Sequence, residues 1–205
     1  MELLDIFSII EPVINAFEQL DVPYYIGGSV TSSIHGIPRS TVDVDLVAAL
    51  QPQQVSALVN KLQSAYYIDA EMIREAISRQ ASFNLIHLET MLKIDVFILK
   101  NTAYDRAAFQ RRRKDLVDEE LRLEFYLASA EDIILNKLDW FRMGGQVSER
   151  QWLDVLGVLK VQREALDMPY LRHWAAELGL RKLLEQAFQD AGIDHPLSES
   201  SNDRL

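Results

Sequence analysis

The chain has 205 residues, 48% of them hydrophobic and 25% charged, which is ordinary for a soluble globular protein. Its 21 basic residues are outnumbered by 31 acidic ones, and this net charge of −10 argues against extensive non-specific nucleic-acid binding, which needs surplus Lys and Arg. The absence of cysteine excludes disulfides and thiolate metal sites and favours a cytoplasmic location. The acidic N-terminus does not predict a signal peptide, and the apolar runs are too short to predict a membrane span.

The N-terminal part of the chain alternates between helical and strand-like patterns. Apolar residues recur at helical spacing from Leu3 to Phe17, and Pro12 predicts two short helices, the second starting near Glu11. Further helices are predicted over 29–35, 52–63 and 70–78, and strands over 22–26, 42–50, 82–88 and 92–99, with Glu89-Thr90 as a tight hairpin turn.

The C-terminal part is helical. Residues 103–128 carry mixed signals, including a strand-like segment over 121–127 and the basic run 111–114. This run could line a nucleic-acid channel, although a run of charges is usually a solvated face. A capping-box-like start at Ser129 and Asp132 opens the predicted helices 130–143, 148–163, 167–178 and 180–191. This order predicts an α+β fold, with a mixed sheet and flanking helices in a domain over 1–128, a packed helical subdomain over 129–192, and a disordered tail over 193–205.

Three aspartates interrupt strands that are otherwise apolar. Asp43 and Asp45 are two residues apart and therefore share a face, with Cα atoms ~6–7 Å apart from the strand rise. Asp95 lies on the face of its strand opposite to Ile94 and Val96, so it meets the pair if the two strands are neighbours. Because Asp is depleted in strands and clustered carboxylates repel one another, the pattern predicts a site for Mg²⁺ or Mn²⁺ rather than three solvated edge residues.

A glycine turn precedes the first of these strands. Gly27, Gly28 and Ser29 connect an apolar strand directly to a helix start. Glycine allows a phosphate to approach the backbone closely, and a helix N-terminus offers free N–H groups, although such a turn is by itself more often only a cap. Combined with the aspartates, it predicts a nucleotide-binding turn.

These motifs together resemble the nucleotidyltransferase superfamily that includes DNA polymerase β. Its signature is an apolar residue, Gly, then Gly or Ser, followed by Asp-apolar-Asp-apolar on a strand and a third Asp on a later strand. Here the first two elements are Ile26-Gly27-Gly28-Ser29 and Asp43-Val44-Asp45-Leu46, thirteen residues apart, toward the long end of the spacing. The string Arg39-x-Thr41-x-Asp43-x-Asp45 is similar to the bacterial branch of AbiEii-type toxins and related nucleotidyltransferase-like proteins.

The resemblance implies transfer of a nucleoside monophosphate from an NTP to a hydroxyl-bearing acceptor. Asp43 and Asp45 would bridge metal ions and triphosphate, Asp95 would complete the metal site and help deprotonate the acceptor, and Gly27, Gly28 and Ser29 would bind the nucleotide. Arg39 would bind the nucleotide through its phosphates or pair with the aspartates. A toxin-like member would act on RNA or protein and have an antitoxin-like partner, whereas a resistance-enzyme-like member would act on a small molecule. A non-catalytic nucleotide-binding or interaction module is the alternative.

Charged residues of the helical part are secondary candidates. Lys137 lies on the apolar stripe of its helix, so its ammonium either extends to solvent or meets an anion. The resemblance implies that this anion is the triphosphate. Arg150 and Asp154 stand four residues apart, the ordinary spacing of a surface salt bridge. With Lys137 they also fit, loosely, the lysine followed by an arginine and an aspartate on later helices that the resemblance to the AbiEii-type branch implies.

Overall fold

A computed structural model describes residues 3–41, 43–118 and 122–193. The chain divides into two units, the first comprising Met1–Ile34 and Pro38–Ser129 and the second His35–Ile37 and Ala130–Leu205. Three predicted segments lie partly outside the described residues. These are the first residue of each of the strands predicted over 42–50 and 121–127, and all but the first residue of the tail predicted over 193–205.

The first unit is built on a seven-stranded mixed sheet. Its order is β3-β4-β5-β2-β1-β7-β6, in which β2 pairs with β5 and β1 with β7 in parallel, and the other neighbours are antiparallel. The strands are β1 (Tyr24–Ile26), β2 (Asp43–Ala48), β3 (Tyr66–Tyr67), β4 (Ser82–His87), β5 (Lys93–Ile98), β6 (Arg113–Asp118) and β7 (Leu123–Leu127). The helices are α1 (Leu3–Gln19), α2 (Gly28–His35), α3 (Val55–Leu62, after a 3-10 turn at Pro52–Gln54), α4 (Ala70–Arg79) and α5 (Ala103–Arg111). The predicted α+β class with a mixed sheet is confirmed.

One face of this sheet carries the hydrophobic core. Residues of α1, α3 and α4 pack there against alternate strand residues such as Val44, Leu46, Ile94 and Val96, which are fully buried. Since successive strand residues point to opposite faces, Asp43, Asp45 and Asp95 lie on the other face. The apolar alternation of β2 and β5 thus holds the carboxylates away from the core.

The predicted break at Pro12 is wrong, because α1 continues through this residue. Pro12 lies on the exposed side of the helix, whereas Ile10, Val13 and Phe17 are completely buried against the sheet. Burying each such side chain contributes ~1.5–3 kcal/mol, which together exceeds the ~3 kcal/mol cost of an internal proline.

Two further details differ from prediction. The 82–99 hairpin forms, but its turn extends over 88–90 and returns through Met91 in a left-handed conformation (φ 59°), so Glu89-Thr90 is not a two-residue turn. The sequence analysis also missed β3, α5 and β6. Strand β3 has only two residues, β6 lies at the edge of the sheet, and α5 has weak apolar periodicity.

The second unit contains α6 (Ala130–Met143), α7 (Glu149–Gln162), α8 (Met168–Glu177) and α9 (Arg181–Asp190). These bounds agree within two residues with the four predicted helices. Side chains cap two of them: Ser148 accepts a hydrogen bond from the Gln151 amide, and Asp167 accepts one from the Tyr170 amide. Across the described part of the chain, no helix has both the length and the apolar character needed to cross a membrane.

Candidate active site

Neighbouring parallel strands bring the three aspartates onto one patch of the sheet. Asp45 of β2 is directly opposite Asp95 of β5, and Asp43 is opposite Lys93. Adjacent strands are ~4.8 Å apart, so carboxylates at paired positions on one face are close neighbours. The sequence predicted that Asp95 meets Asp43 and Asp45 only if the two strands are neighbours. In the structure β2 and β5 are neighbours, so this condition is met.

The Asp95 carboxylate is held by two side chains that sequence reasoning overlooked. Lys93 Nζ lies 2.7 Å from Asp95 Oδ2. Asn84, paired with Asp95 in the antiparallel register of β4 and β5, donates its amide nitrogen to Oδ1 at 2.7 Å when the amide is oriented to satisfy both of its groups. Both carboxylate oxygens thus have partners within the chain.

The neighbouring aspartates change the pKa of Lys93. Its hydrogen bond to Asp95 raises the pKa of the Lys93 ammonium above its ordinary value, partial burial opposes the rise, and the charges of Asp43 and Asp45 add to it. The ammonium therefore remains charged throughout the neutral range, as a cation amid three acids.

Asp43 and Asp45 are positioned by the segment and strand beside them. Buried Thr41 donates its hydroxyl to Asp43 Oδ1 at 2.9 Å, so the Thr in the Arg-x-Thr-x-Asp-x-Asp string orients the first aspartate. The Gly27 amide donates to the Asp45 backbone carbonyl at 2.9 Å, which joins the glycine turn to β2.

The glycine turn lies directly against Asp45. Gly28 begins α2 with φ +55°, and a Cβ at this position would lie 2.6 Å from Asp45 Cγ. Only glycine accommodates both the positive φ and this approach. The turn is also tied down by Thr31, whose hydroxyl donates to the Ile26 carbonyl at 2.7 Å. The N-terminus of α2 is consequently fixed beside the second aspartate.

Arg39 and Ser29 form one unit. The Arg39 guanidinium donates to Ser29 Oγ at 2.7 Å and to the Ser40 carbonyl at 3.2 Å. These contacts bring together two residues ten positions apart that the sequence predicted to bind nucleotide. A guanidinium beside a helix N-terminus forms a positive environment suited to phosphate oxygens.

Lys137 and Asp154 form a buried ion pair in the helical unit. Lys137 Nζ lies 2.7 Å from Asp154 Oδ2, with side chains only 4% and 5% exposed, and it donates to Gln151 Oε1 at 3.0 Å. The expectation of a surface salt bridge between Arg150 and Asp154 is therefore wrong: the α6–α7 packing buries Asp154 against a lysine of the facing helix. Triphosphate binding by Lys137 stays a prediction.

The basic run at residues 111–114 is dispersed by the fold. It spans the end of α5 and the start of β6. The Arg112 guanidinium stacks over the Phe109 ring at 4.2 Å, and Lys114 faces Glu124 at 3.5 Å across the sheet edge. These local contacts favour the interpretation of a solvated surface over that of a nucleic-acid channel.

The donor set fits Mg²⁺ chemically, since Asp43 and Asp45 offer only hard oxygen ligands on one face. Within residues 3–41, 43–118 and 122–193, however, no three carboxylate or imidazole side chains are close enough to hold a metal ion. Asp95 also has a cationic partner within the chain, the Lys93 ammonium. The expectation that three carboxylates require a metal ion overlooked that partner.

No protein-family model matches the sequence, and a search of curated proteins finds no match. Solved structures do match. The solution structure of the antibiotic-resistance factor ANT(2'')-Ia gives a TM-score of 0.57 at 14% identity, covering 93% of this chain and 100% of that one. A crystal structure of ANT(2'')-Ia in complex with adenylyl-2''-tobramycin gives 0.53 at 13%, covering 85% and 97%.

The lincosamide antibiotic adenylyltransferase LnuA, solved with lincomycin bound, gives a TM-score of 0.50 at 14% identity, covering 75% of this chain and 96% of that one. At such low identity the likeness concerns the fold. The chain therefore has the fold of the nucleotidyltransferases, which is what the resemblance of the motifs implied.

Proposed function

We propose that the protein is a metal-dependent nucleotidyltransferase that moves a nucleoside monophosphate from an NTP to a hydroxyl-bearing acceptor. The observation that carries this proposal is the register of Asp45 with Asp95 directly beside the Gly28 turn, on a nucleotidyltransferase fold. The three aspartates alternate with the buried residues of β2 and β5, so they lie on the face of the sheet opposite to that core.

In the proposed reaction, the acceptor oxygen forms a bond to the α-phosphorus and the bond to pyrophosphate breaks. Asp95 takes up the proton of the acceptor hydroxyl. Asp43 and Asp45 would hold Mg²⁺ or Mn²⁺, which supplies positive charge against the triphosphate. The N-terminus of α2, the Ser29 hydroxyl and the Arg39 guanidinium bind the distal phosphates.

A small molecule is the acceptor that the findings favour. The solved structures of similar fold include the antibiotic-resistance factor ANT(2'')-Ia, in complex with adenylyl-2''-tobramycin, and the lincosamide antibiotic adenylyltransferase LnuA, with lincomycin bound. The net charge of −10 and the dispersed basic run disfavour a long RNA. A toxin-like role with an antitoxin-like partner stays a prediction, as does the cytoplasmic location that the absence of cysteine supports.

Calorimetry with each NTP and Mg²⁺ tests the site. We expect metal-dependent binding of at least one NTP to the wild type and none to Asp43→Ala/Asp45→Ala. Asp115→Ala removes an exposed aspartate from another strand and should bind normally. Metal-dependent binding that survives the double substitution would contradict the assignment.

The second candidate is a non-catalytic nucleotide-binding module, favoured by the pairing of Asp95 with Lys93. A transfer screen with labelled NTPs against small-molecule, protein and RNA pools distinguishes the two. Label on an acceptor from one pool, lost in Asp95→Asn, supports the enzyme. Normal NTP binding without transfer to any pool supports the module.

A further inference from the structure

The geometry of the sheet places the Lys93 ammonium beside Asp95. Lys93 and Asp95 are two residues apart on β5, so their side chains leave the same face. The parallel register also sets Lys93 opposite Asp43. The ammonium is therefore next to the third aspartate on its own strand and opposite the first on the neighbouring strand.

The contact differs from an ordinary surface salt bridge. Lys114 and Glu124 form such a pair on β6 and β7, with side chains 44% and 56% exposed and 3.5 Å between the charged atoms. Lys93 is equally exposed, at 45%, but its aspartate is only 16% exposed and the contact is 2.7 Å. Asn84 holds the other oxygen of Asp95, so the carboxylate is constrained from both sides.

The position of the Lys93 charge disfavours a divalent ion at Asp95. Three aspartates contribute −3 and Lys93 contributes +1, which leaves −2 on these four side chains. The bound triphosphate adds further negative charge, so overall neutrality does not limit the number of ions. A second ion at Asp95, however, would have to share this carboxylate with an ammonium and would be repelled by it.

We propose that Lys93 is a built-in counter-ion that occupies the second cation position of the site, so that the protein loads one divalent ion with its nucleotide rather than two. This inference rests on the proposed function. In it, Lys93 is a positioning residue: with Asn84 it holds the Asp95 carboxylate in place to meet the acceptor hydroxyl, a role that a second metal ion would otherwise have.

The stoichiometry of Mn²⁺ binding tests the proposal without catalytic turnover. Mn²⁺ is titrated into the protein with the α,β-methylene analogues of ATP, GTP, CTP and UTP, each in turn, and bound ions are counted by electron paramagnetic resonance. We expect one Mn²⁺ per chain in the wild type and two in Lys93→Met. Two ions ~3.5–4 Å apart also produce spin-coupled spectra, a signature that a single ion lacks.

Two controls separate charge from position. Lys93→Arg keeps a cation beside Asp95 and should retain one Mn²⁺. Lys114→Met removes a lysine of matched exposure from a pair away from the acidic strands and should also retain one. Lys93→Gln serves as a second neutral variant, and thermal unfolding by circular dichroism verifies that each variant is folded.

Two ions in the wild type, or one ion in the folded neutral variants, would overturn the inference and leave the proposed function intact. If neither Mn²⁺ nor any of the nucleotide analogues binds to the wild type or to any variant, the proposed function is overturned and this inference with it.

Discussion

Gly28 and Asp45 approach each other so closely that no side chain can be placed at position 28 without moving the aspartate: a Cβ there would lie 2.9 Å from Asp45 Cβ and 2.6 Å from its Cγ. The glycine turn and the acidic strand are therefore one structural unit. The positive φ of Gly28 is the backbone conformation that allows the N-terminus of α2 to meet the carboxylate.

Gly28→Ala should accordingly displace Asp45 and weaken Mg²⁺–NTP binding by ~10–100-fold, the usual effect of disturbing the support of a metal ligand. Calorimetry measures this. Gly145→Ala is the matched control, because Gly145 also has a positive φ (+72°) but has no atom within 4 Å of a Cβ. It should lower stability by ~1–2 kcal/mol through backbone strain and leave binding unchanged. Equal binding by both variants would refute the role of the close approach.

The Arg39–Ser29 contact predicts coupled effects on nucleotide affinity. Arg39→Met should weaken NTP binding about tenfold or more, since hydrogen bonds to charged groups contribute ~1.5–3 kcal/mol. Ser29→Ala should have a smaller effect, and the double variant should lose less than the sum, because the two side chains act through one hydrogen bond. Arg79→Met removes an exposed arginine and should not change affinity. Strict additivity of the two substitutions would contradict the coupling.

The buried pair of Lys137 and Asp154 predicts a large stability effect in the helical unit. Lys137→Met leaves a buried carboxylate without its ammonium and should lower the free energy of unfolding by ~3–5 kcal/mol. Lys137→Met/Asp154→Leu replaces both charges by apolar groups and should recover most of this loss. Urea unfolding measures both.

The same double variant tests the predicted role of Lys137 in nucleotide binding. If the stable, charge-free variant binds NTP as the wild type does, Lys137 is a structural residue only. A loss of affinity in this folded variant would support contact with the triphosphate.

Alkaline pH should destabilise the first unit through Tyr66. This phenol is 2% exposed and donates to the Ile9 carbonyl, and its burial raises its pKa to about 12. In the unfolded chain it ionises near pH ~10. The folded state thus keeps a proton that the unfolded state releases, so stability is full below pH ~10 and falls as pH rises toward 12.

Unfolding measured between pH 8 and 12 tests this expectation. Tyr66→Phe should lower stability at neutral pH by ~1 kcal/mol through the lost hydrogen bond and reduce the alkaline slope. Tyr67→Phe changes the exposed neighbour and should leave the slope as in the wild type. An unchanged slope in Tyr66→Phe would show that other groups cause the alkaline loss.

Local patterns in the sequence were sufficient for much of the fold and for most of the candidate site. The period of two within β2 and β5 determines that Asp43 and Asp45 share a face and that Asp95 points away from the core, since this depends only on strand geometry. The four C-terminal helices followed from apolar periodicity in the same way. Lys93 was within reach of this reasoning too, because it shares the alternation of Asp95.

Tertiary structure decided the relationships between distant segments. Whether β5 lies beside β2, and in which register, depends on the whole sheet, and that register sets Asp45 opposite Asp95 and Asn84 against its other oxygen. Burial against the sheet kept α1 continuous through Pro12, and helix packing paired Asp154 with Lys137. Strand alternation is a local property of the backbone and can be predicted from a few residues, whereas partners across a sheet or between helices depend on packing free energy summed over the folded chain.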